Sequence, residues 1–579
     1  MTIKIQKLLF WSIIFAALFL FLQGQYAYLF YYQEQLRLFL FSKTYVWNCV
    51  VNVGGVADYI AGFFQQFYRV PGIGAVFTSG LLVACGYLLQ KLLSIGMPKP
   101  SLLPDVLALI PLGGLLVLHI DENYQIAGTI AFFFCLLFWW FYAVSDKRWI
   151  SLGGTVVLTS LLYGIGGAVF TLFACGLLVY ECTTRKKYWI PAIGLIVLTV
   201  LFWICFSLME AWQGELRLIA LPDAYYEYLL DAKKTYWWWG LTLLVGFAAI
   251  LFRNRSVSSW KMAVAALLLV AGALGKISVD KDPVLSYAYE RDYYLRHQQW
   301  AKIVSTFPSE HPIIPTLNVL NLALACRHEL GDKLFAYPQN GSQTLISSWD
   351  GSLIGAMICS DIFYQVGDIA SAQKFAFEGL ITTTRSNPRL LKRLVETNII
   401  YGAYAVAEKY IGLLEQTLFY KDWALAQRAY LSDDGVRKCA EYQSKRNGWN
   451  HKGAYAVSVN FIETLEQLLV NNPEEDMALQ YLSGFYLLNR SLSKFKQLYD
   501  TYYHTEVWRD LTVHQQEAVI ALAQDNPGEW ARMGVGWEVE QRYGAFSQDM
   551  ADKHNFLNFT EEMERDYGNT YWFYLLFKK

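Results

Sequence analysis

Charge is scarce in this chain. Only 17% of its 579 residues are Asp, Glu, Lys or Arg, against about 25% in soluble globular proteins. That scarcity, with 55% apolar residues, excludes a disordered or highly charged interaction tail. The chain holds only nine cysteines, none in a Cys-x-x-Cys pair, which leaves no basis for a zinc ribbon or a thioredoxin-like redox site. Its eight histidines are scattered and never fall at metal-ligand spacing, so a metal site has no motif. There is no phosphate-binding P-loop, no Gly-x-Ser-x-Gly elbow and no Gly-x-Gly-x-x-Gly turn, so ATP-driven transport and serine hydrolysis lack support.

Long apolar runs are abundant. A membrane-crossing helix needs about 20 mainly apolar residues, and nine segments qualify: 8–24, 73–92, 102–120, 124–145, 149–163, 165–182, 188–208, 236–252 and 260–278. The fifth and sixth meet at Gly164-Ile165-Gly166-Gly167, as a tight hairpin or a re-entrant pair. The first follows Lys4 and Lys7 without a small-residue cleavage site, which reads as an uncleaved signal anchor. Asp105, early in the third segment, reads as a snorkelling side chain. Basic residues fall in alternate loops: Lys4/Lys7, Lys91/Lys99, Lys147/Arg148, Arg185/Lys186/Lys187 and Arg253/Arg255/Lys261. The positive-inside rule makes these cytoplasmic. Loop 25–72, residues 121–123, turn 164–167, loop 209–235 and everything after 279 then lie outside the cytoplasm. The expectation is a bacterial inner-membrane protein with a cytoplasmic N-terminus and a periplasmic C-terminal domain.

Charge divides the same way. Residues 1–279 carry a net +7 and residues 280–579 a net −8. An acidic soluble half is a poor partner for nucleic acid. After 279 the composition is soluble and helical, without alternating strand patterns. Gly367-Asp-Ile-Ala-Ser-Ala372 recurs 35 residues later as Gly402-Ala-Tyr-Ala-Val-Ala407. Asn387-Pro388 and Asn472-Pro473 open further helices. A turn glycine followed by small residues in the next helix allows paired helices to approach closely and to stack. The expected fold is all-α: a polytopic transmembrane bundle of about nine spans (1–279), then a soluble tetratricopeptide-like helical repeat domain (280–579).

Three polar spots lie on the outer side. In the first loop, Asp58, Gly62, Gln65 and Arg69 share one helical stripe, and Ile60, Phe63, Phe64 and Phe67 another. This predicts an amphipathic helix in the membrane interface, between Gly54-Gly55 and Pro71-Gly72. Gln66 and Tyr68 lie in the same segment. The second spot is His119-Ile120-Asp121-Glu122, at the outer end of the third segment. The third is loop 209–235, with Glu210, Trp212, Glu215, Arg217, Asp223, Tyr225, Tyr226, Glu227, Tyr228 and Asp231, leading into Trp237-Trp238-Trp239. Its aromatics read first as an interfacial belt. Of the cysteines outside the spans, Cys49, Cys326, Cys359 and Cys439 could pair in any combination.

This layout resembles the GT-C class of membrane glycosyltransferases, and in block order its branch of O-mannosyltransferases with tetratricopeptide repeats. The string Gly54-Gly55…Tyr59…Phe63…Gln65-Gln66-Phe67-Tyr68…Pro71…Gly74-Ala75 is similar to a group of uncharacterised Bacteroidota membrane proteins. The GT-C resemblance implies transfer of a sugar from a polyprenyl-phosphate donor, with or without a divalent cation, to an acceptor at the periplasmic face. Asp58, with Asp121 or Glu122 as second carboxylate, would be catalytic. Gln65, Gln66, Tyr68, Arg69 and His119 would bind substrate. Close after the first span, where that class places its acid, this chain offers Glu34. The alternative is a non-enzymatic scaffold that contacts membrane lipid through its spans and recruits a periplasmic protein through its repeats.

Overall fold

The computed structural model describes residues 3–95, 97, 101–144, 148–184, 220–226, 232–252, 259–307, 312–383, 386–448, 461–472, 476–524, 526–553 and 558–578. It is all-α, with only isolated bridges and no strands among these residues. The chain divides into two compact units, Met1–Ser286 and Tyr287–Lys579.

The first unit begins with α1 (Ile3–Gln35). Its 33 residues rise about 50 Å at 1.5 Å each, far more than the ~30 Å hydrocarbon layer requires. The helix was expected to end near residue 24. It instead kinks at Tyr26, beside Gly24, and runs on through the polar residues Gln33, Glu34 and Gln35. The helical backbone continues through these polar residues because they are good helix formers. α2 (Lys43–Val51), α3 (Gly55–Gln65) and a 3₁₀ turn (Gln66–Arg69) follow. Next come α4 (Ile73–Leu93), α5 (Leu103–His119), α6 (Ile126–Val144), α7 (Arg148–Gly166), α8 (Val169–Thr184), α9 (Lys233–Phe252) and α10 (Ser259–Val279).

Four helices among the described residues are long and apolar enough to cross a membrane: Ile5–Gln35, Ile73–Leu93, Ile126–Val144 and Trp260–Val279. The third, fifth and sixth expected spans correspond to the shorter apolar stretches Leu103–His119, Val157–Gly166 and Val169–Tyr180. The eighth lies within α9, and the seventh (188–208) lies outside the described residues.

Polar contacts sort the helix ends into two groups. At one end, Asp105 at the start of α5 takes Lys7 (3.2 Å) and the Trp11 indole N–H (3.1 Å). Asp105 is fully buried, so the snorkelling expectation is corrected: its carboxylate clamps α5 to α1. Gly86 of α4 leaves room for that indole, since a Cβ there would sit 2.6 Å from the Trp11 ring. At the other end, Gly54 donates its N–H to the carbonyls of Tyr163 and Gly164. The α7–α8 turn at Gly167 is held by the Tyr225 hydroxyl, which donates to the Gly166 carbonyl (2.5 Å) and accepts from the Val169 N–H (2.9 Å).

In the second unit, α11 (Leu353–Val366) and α12 (Ile369–Thr382) flank Gly367, and α13 (Pro388–Tyr401) and α14 (Tyr404–Leu414) flank Gly402. Both glycines take the left-handed conformation, φ 100° and 76°, which closes a helix without a Cβ clash. Ala372 and Ala407 are fully buried. Asn387 caps α13 by accepting the N–H groups of Arg389 and Leu390. Cys49, Cys326, Cys359 and Cys439 are all free thiols.

Candidate functional site

The best-defined polar cluster forms where α1 ends. Arg37, just past α1, is buried with its side chain 4% exposed. It grips both oxygens of Asp58, Nη1 to Oδ1 at 2.8 Å and Nη2 to Oδ2 at 2.5 Å. Burial alone would favour the neutral guanidine. The Asp58 charge and its hydrogen bonds outweigh that, so the Arg37 pKa is raised and the group stays cationic. Gly62, one turn beyond Asp58, makes the approach possible, because a Cβ there would lie 2.5 Å from Arg37 Nε. Gln65 donates to the Gln33 carbonyl at 2.5 Å and ties α3 back to α1. Glu34 and Gln35 are buried in the same turn of α1.

The expected segment is not one continuous α-helix from Gly55 to Arg69. It buries Gly55, Ala57, Ala61 and Gly62 in the bundle and breaks at Gln65 into the 3₁₀ turn. The regular stripe from Asp58 to Arg69 does not hold across that break. α2 has the outward apolar face instead: none of its residues is buried, and Val46, Trp47, Val50 and Val51 are exposed.

The other predicted site residues are dispersed. Gln66 is buried and donates to the Phe63 carbonyl. Tyr68 is buried, its hydroxyl 3.3 Å from that of Thr78. Arg69 is exposed. His119 is buried against Tyr124, with Nε2 2.8 Å from the Thr129 hydroxyl. Asp121 takes Lys234 on one oxygen (2.7 Å) and the Asn123 N–H on the other (3.1 Å). Glu122 is half-buried. In the third loop, buried Asp223 accepts from the Tyr236 hydroxyl. Glu210, Trp212, Glu215, Arg217, Glu227, Tyr228 and Asp231 lie outside the described residues. The tryptophan triplet is split. Trp237 is exposed as a belt residue would be, but Trp238 and Trp239 are buried, and Trp238 donates to the Pro111 carbonyl (2.9 Å).

Sequence reasoning missed Arg37, Lys234 and Thr129, the partners of the residues it singled out. One signal was present: a carboxylate and a glycine one helical turn apart mark a place where another side chain comes close. As for a divalent cation, no group of three or more His, Cys, Asp or Glu among the described residues is arranged to hold one. Asp58 and Asp121 each already hold a cationic side chain. The described residues at these spots do not fit a metal.

These features define an all-α chain of two compact units, the first of which carries four described helices long and apolar enough to cross a membrane. The chain belongs to the DUF6057 family, a family of unknown function, which it matches over residues 1–578. No curated protein and no solved structure matches it.

Proposed function

We propose that this protein is a membrane-anchored scaffold. Its bundle lies in the bacterial inner membrane, and its second unit, a tetratricopeptide-like array, recruits a protein partner in the periplasm. The observation that carries this reading is the state of the two foremost carboxylates. Asp58 is gripped on both oxygens by a buried guanidinium, and Asp121 is paired with Lys234. A general base must receive a proton from its substrate. A carboxylate whose charge and lone pairs are already committed to a fixed cation is a weak one. The repeated glycine turn and buried alanine in the second unit support stacking of helix pairs, which is how repeat arrays build extended binding surfaces. Phe377 and Ile381, one turn apart on α12, are exposed at 51% and 70% and offer an apolar contact for a partner.

A second reading, transfer of a sugar from a lipid phosphate, is favoured by Glu34. It is a buried acid at the outer end of the first span, beside Gln33 and Gln35. One pair of variants separates the two readings. Asp58→Asn alone strands Arg37 and disturbs the fold under either. Arg37→Met with Asp58→Leu removes both charges together and leaves no orphan. A scaffold carrying the double change keeps a site-specific crosslink from Phe377 to its periplasmic partner and loses it with Ile381→Glu, while cellular glycans stay as in wild type. A glycan product that vanishes in both the deletion strain and a stably inserted Glu34→Gln variant overturns the scaffold reading.

A further inference from the structure

Helix α2 is nine residues long, and none of them is buried. A helix of that length is marginal in water unless one of its faces is packed. Its inner side is Tyr45 and Cys49, both half-buried. The Tyr45 ring meets Phe39 and Tyr59, with centroids 5.3 and 6.2 Å apart. The remaining surface divides in two. At about 100° per residue, exposed Val46, Trp47, Val50 and Val51 share an arc of about 140°, and exposed Thr44, Asn48 and Asn52 the next arc of about 80°. Phe41 and Val53, just outside the helix, are exposed too. No acidic residue occurs between Leu36 and Ala57.

The C-terminal end of α2 is fixed in depth. Gly54, in the turn that follows, donates its N–H to the Tyr163 and Gly164 carbonyls (3.3 and 3.1 Å). A Cβ on Gly54 would come within 3.2 Å of the Gly167 backbone, so the two turns touch. The apolar stretches Val157–Gly166 and Val169–Tyr180 meet at that point. In a bundle that spans a bilayer, the end of an apolar hairpin is where hydrocarbon gives way to headgroups. A helix with one side on protein, one side apolar and one side polar suits that boundary. Trp47 supplies an indole, the side chain enriched at headgroup level. Lys43 falls within the apolar arc, where its stem can lie along acyl chains and its ammonium among phosphates.

We propose that α2 lies along the membrane interface at this end of the bundle, with Val46, Trp47, Val50 and Val51 among the upper acyl chains and Thr44, Asn48 and Asn52 towards water. The proposal rests on the reading of the bundle as membrane-spanning. It commits to lipid as the cover of the apolar arc, because the arc sits at the level where the apolar hairpin ends and carries a tryptophan, a lysine and no acid. The Tyr45 hydroxyl lies 3.5 Å from Arg37 Nη2. A bilayer that holds α2 therefore also braces one wall of the Arg37–Asp58 pair.

The test uses the full chain in nanodiscs of phosphatidylethanolamine and phosphatidylglycerol. Photoreactive p-benzoylphenylalanine replaces one exposed residue at a time: Val50 and Asn48 on the two arcs of α2, Leu268 on α10, and Phe377 in the second unit. After illumination, mass spectrometry reads what each position has captured. Lipid adducts are expected from Val50 and from Leu268, none from Phe377, and a Val50 yield several times that of Asn48. A lipid adduct at Leu268 without one at Val50 overturns the placement of α2 and leaves the bundle in the membrane. Capture of a second copy or another protein by Val50 in place of lipid overturns the choice of partner. Equal yields from Val50 and Asn48 overturn the orientation. Loss of lipid capture at both Val50 and Leu268 overturns the membrane reading beneath the proposal.

Discussion

At the scale of single residues, Arg37, Asp58 and Gly62 act as a unit. Removing one member of a buried ion pair leaves the other charge stranded, which costs about 3–5 kcal/mol, whereas replacing both with apolar groups is often neutral. Asp58→Asn should therefore lower the thermal stability of the detergent-solubilised protein by about 3 kcal/mol. Arg37→Met/Asp58→Leu should recover most of that loss. Gly62→Ala pushes a methyl against Arg37 Nε and Cζ, at 2.5 and 2.9 Å, and should cost ~1–3 kcal/mol. Because both single changes break the same contact, the Gly62→Ala/Asp58→Asn double variant should be less destabilised than their sum. A strictly additive result in a double-mutant cycle would mean that Gly62 is spaced for some other reason. This triad also marks the limit of sequence reading. The carboxylate and glycine are local and legible, while the guanidinium lies 21 positions away from Asp58 and reaches it only because α1 runs on to Gln35.

At the scale of elements, helix ends carry the argument. The turns at Gly367 and Gly402 and the buried positions Ala372 and Ala407 were readable, because a C-terminal glycine and close helix packing both have local sequence signatures. Ala407 has no exposed surface, so Ala407→Leu should overpack α13 against α14 and cost roughly 1–3 kcal/mol, seen as faster amide exchange across both helices. Their capping from a distance was not readable. Lys445 and Arg446, neighbours on α15 (Ala440–Gly448), cap two different helices. Lys445 donates to the Tyr364 carbonyl (2.7 Å) at the end of α11. Arg446 donates to the Ile399 and Ile400 carbonyls (2.7 and 2.8 Å) at the end of α13. Each places a cation at the negative pole of a helix.

Asp361 of α11 is similarly tied across helices, to Arg389 and Arg393 of α13. Burial raises its pKa, but the two guanidinium groups more than reverse that, and the result is a carboxyl below its usual range. The stability it contributes is therefore present at neutral pH and is lost as pH falls below about 3.9, the value in an unfolded chain. Amide protection of α11 and α13 should be lower in Asp361→Asn than in wild type at pH 7, and the gap should narrow towards pH 3. A gap that stays constant over that range would remove the ion pair from the account.

At the scale of the whole molecule, two independent patterns bear on which way the bundle faces. The first is charge: the basic clusters fall on alternate loops. The second is contact. Lys7 meets Asp105, and Tyr180 meets the Ala143 carbonyl, which brings the start of α1, the start of α5, the end of α6 and the far part of α8 to one end. Asp121 meets Lys234, the Gln125 N–H meets the Tyr225 carbonyl, and Gly54 meets the turn after α7. Lys281 donates to the Gln25 carbonyl in the second half of α1. These contacts gather the first loop, the α5–α6 turn, the α7–α8 turn, the start of α9 and the residues after α10 at the opposite end. Among the described residues this grouping puts the ends that carry Lys7 and Lys91 together and the first loop with the α5–α6 and α7–α8 turns. The proposed topology, with the Lys7 end in the cytoplasm, is open to a direct test. Alkaline phosphatase, which folds to activity only outside the cytoplasm, should be active when fused after Lys579 and inactive when fused after Lys187. Activity at Lys187 with none at Lys579 would invert the bundle. It would also put the second unit in the cytoplasm, where a periplasmic partner could not reach it, so the topology experiment comes before any search for that partner.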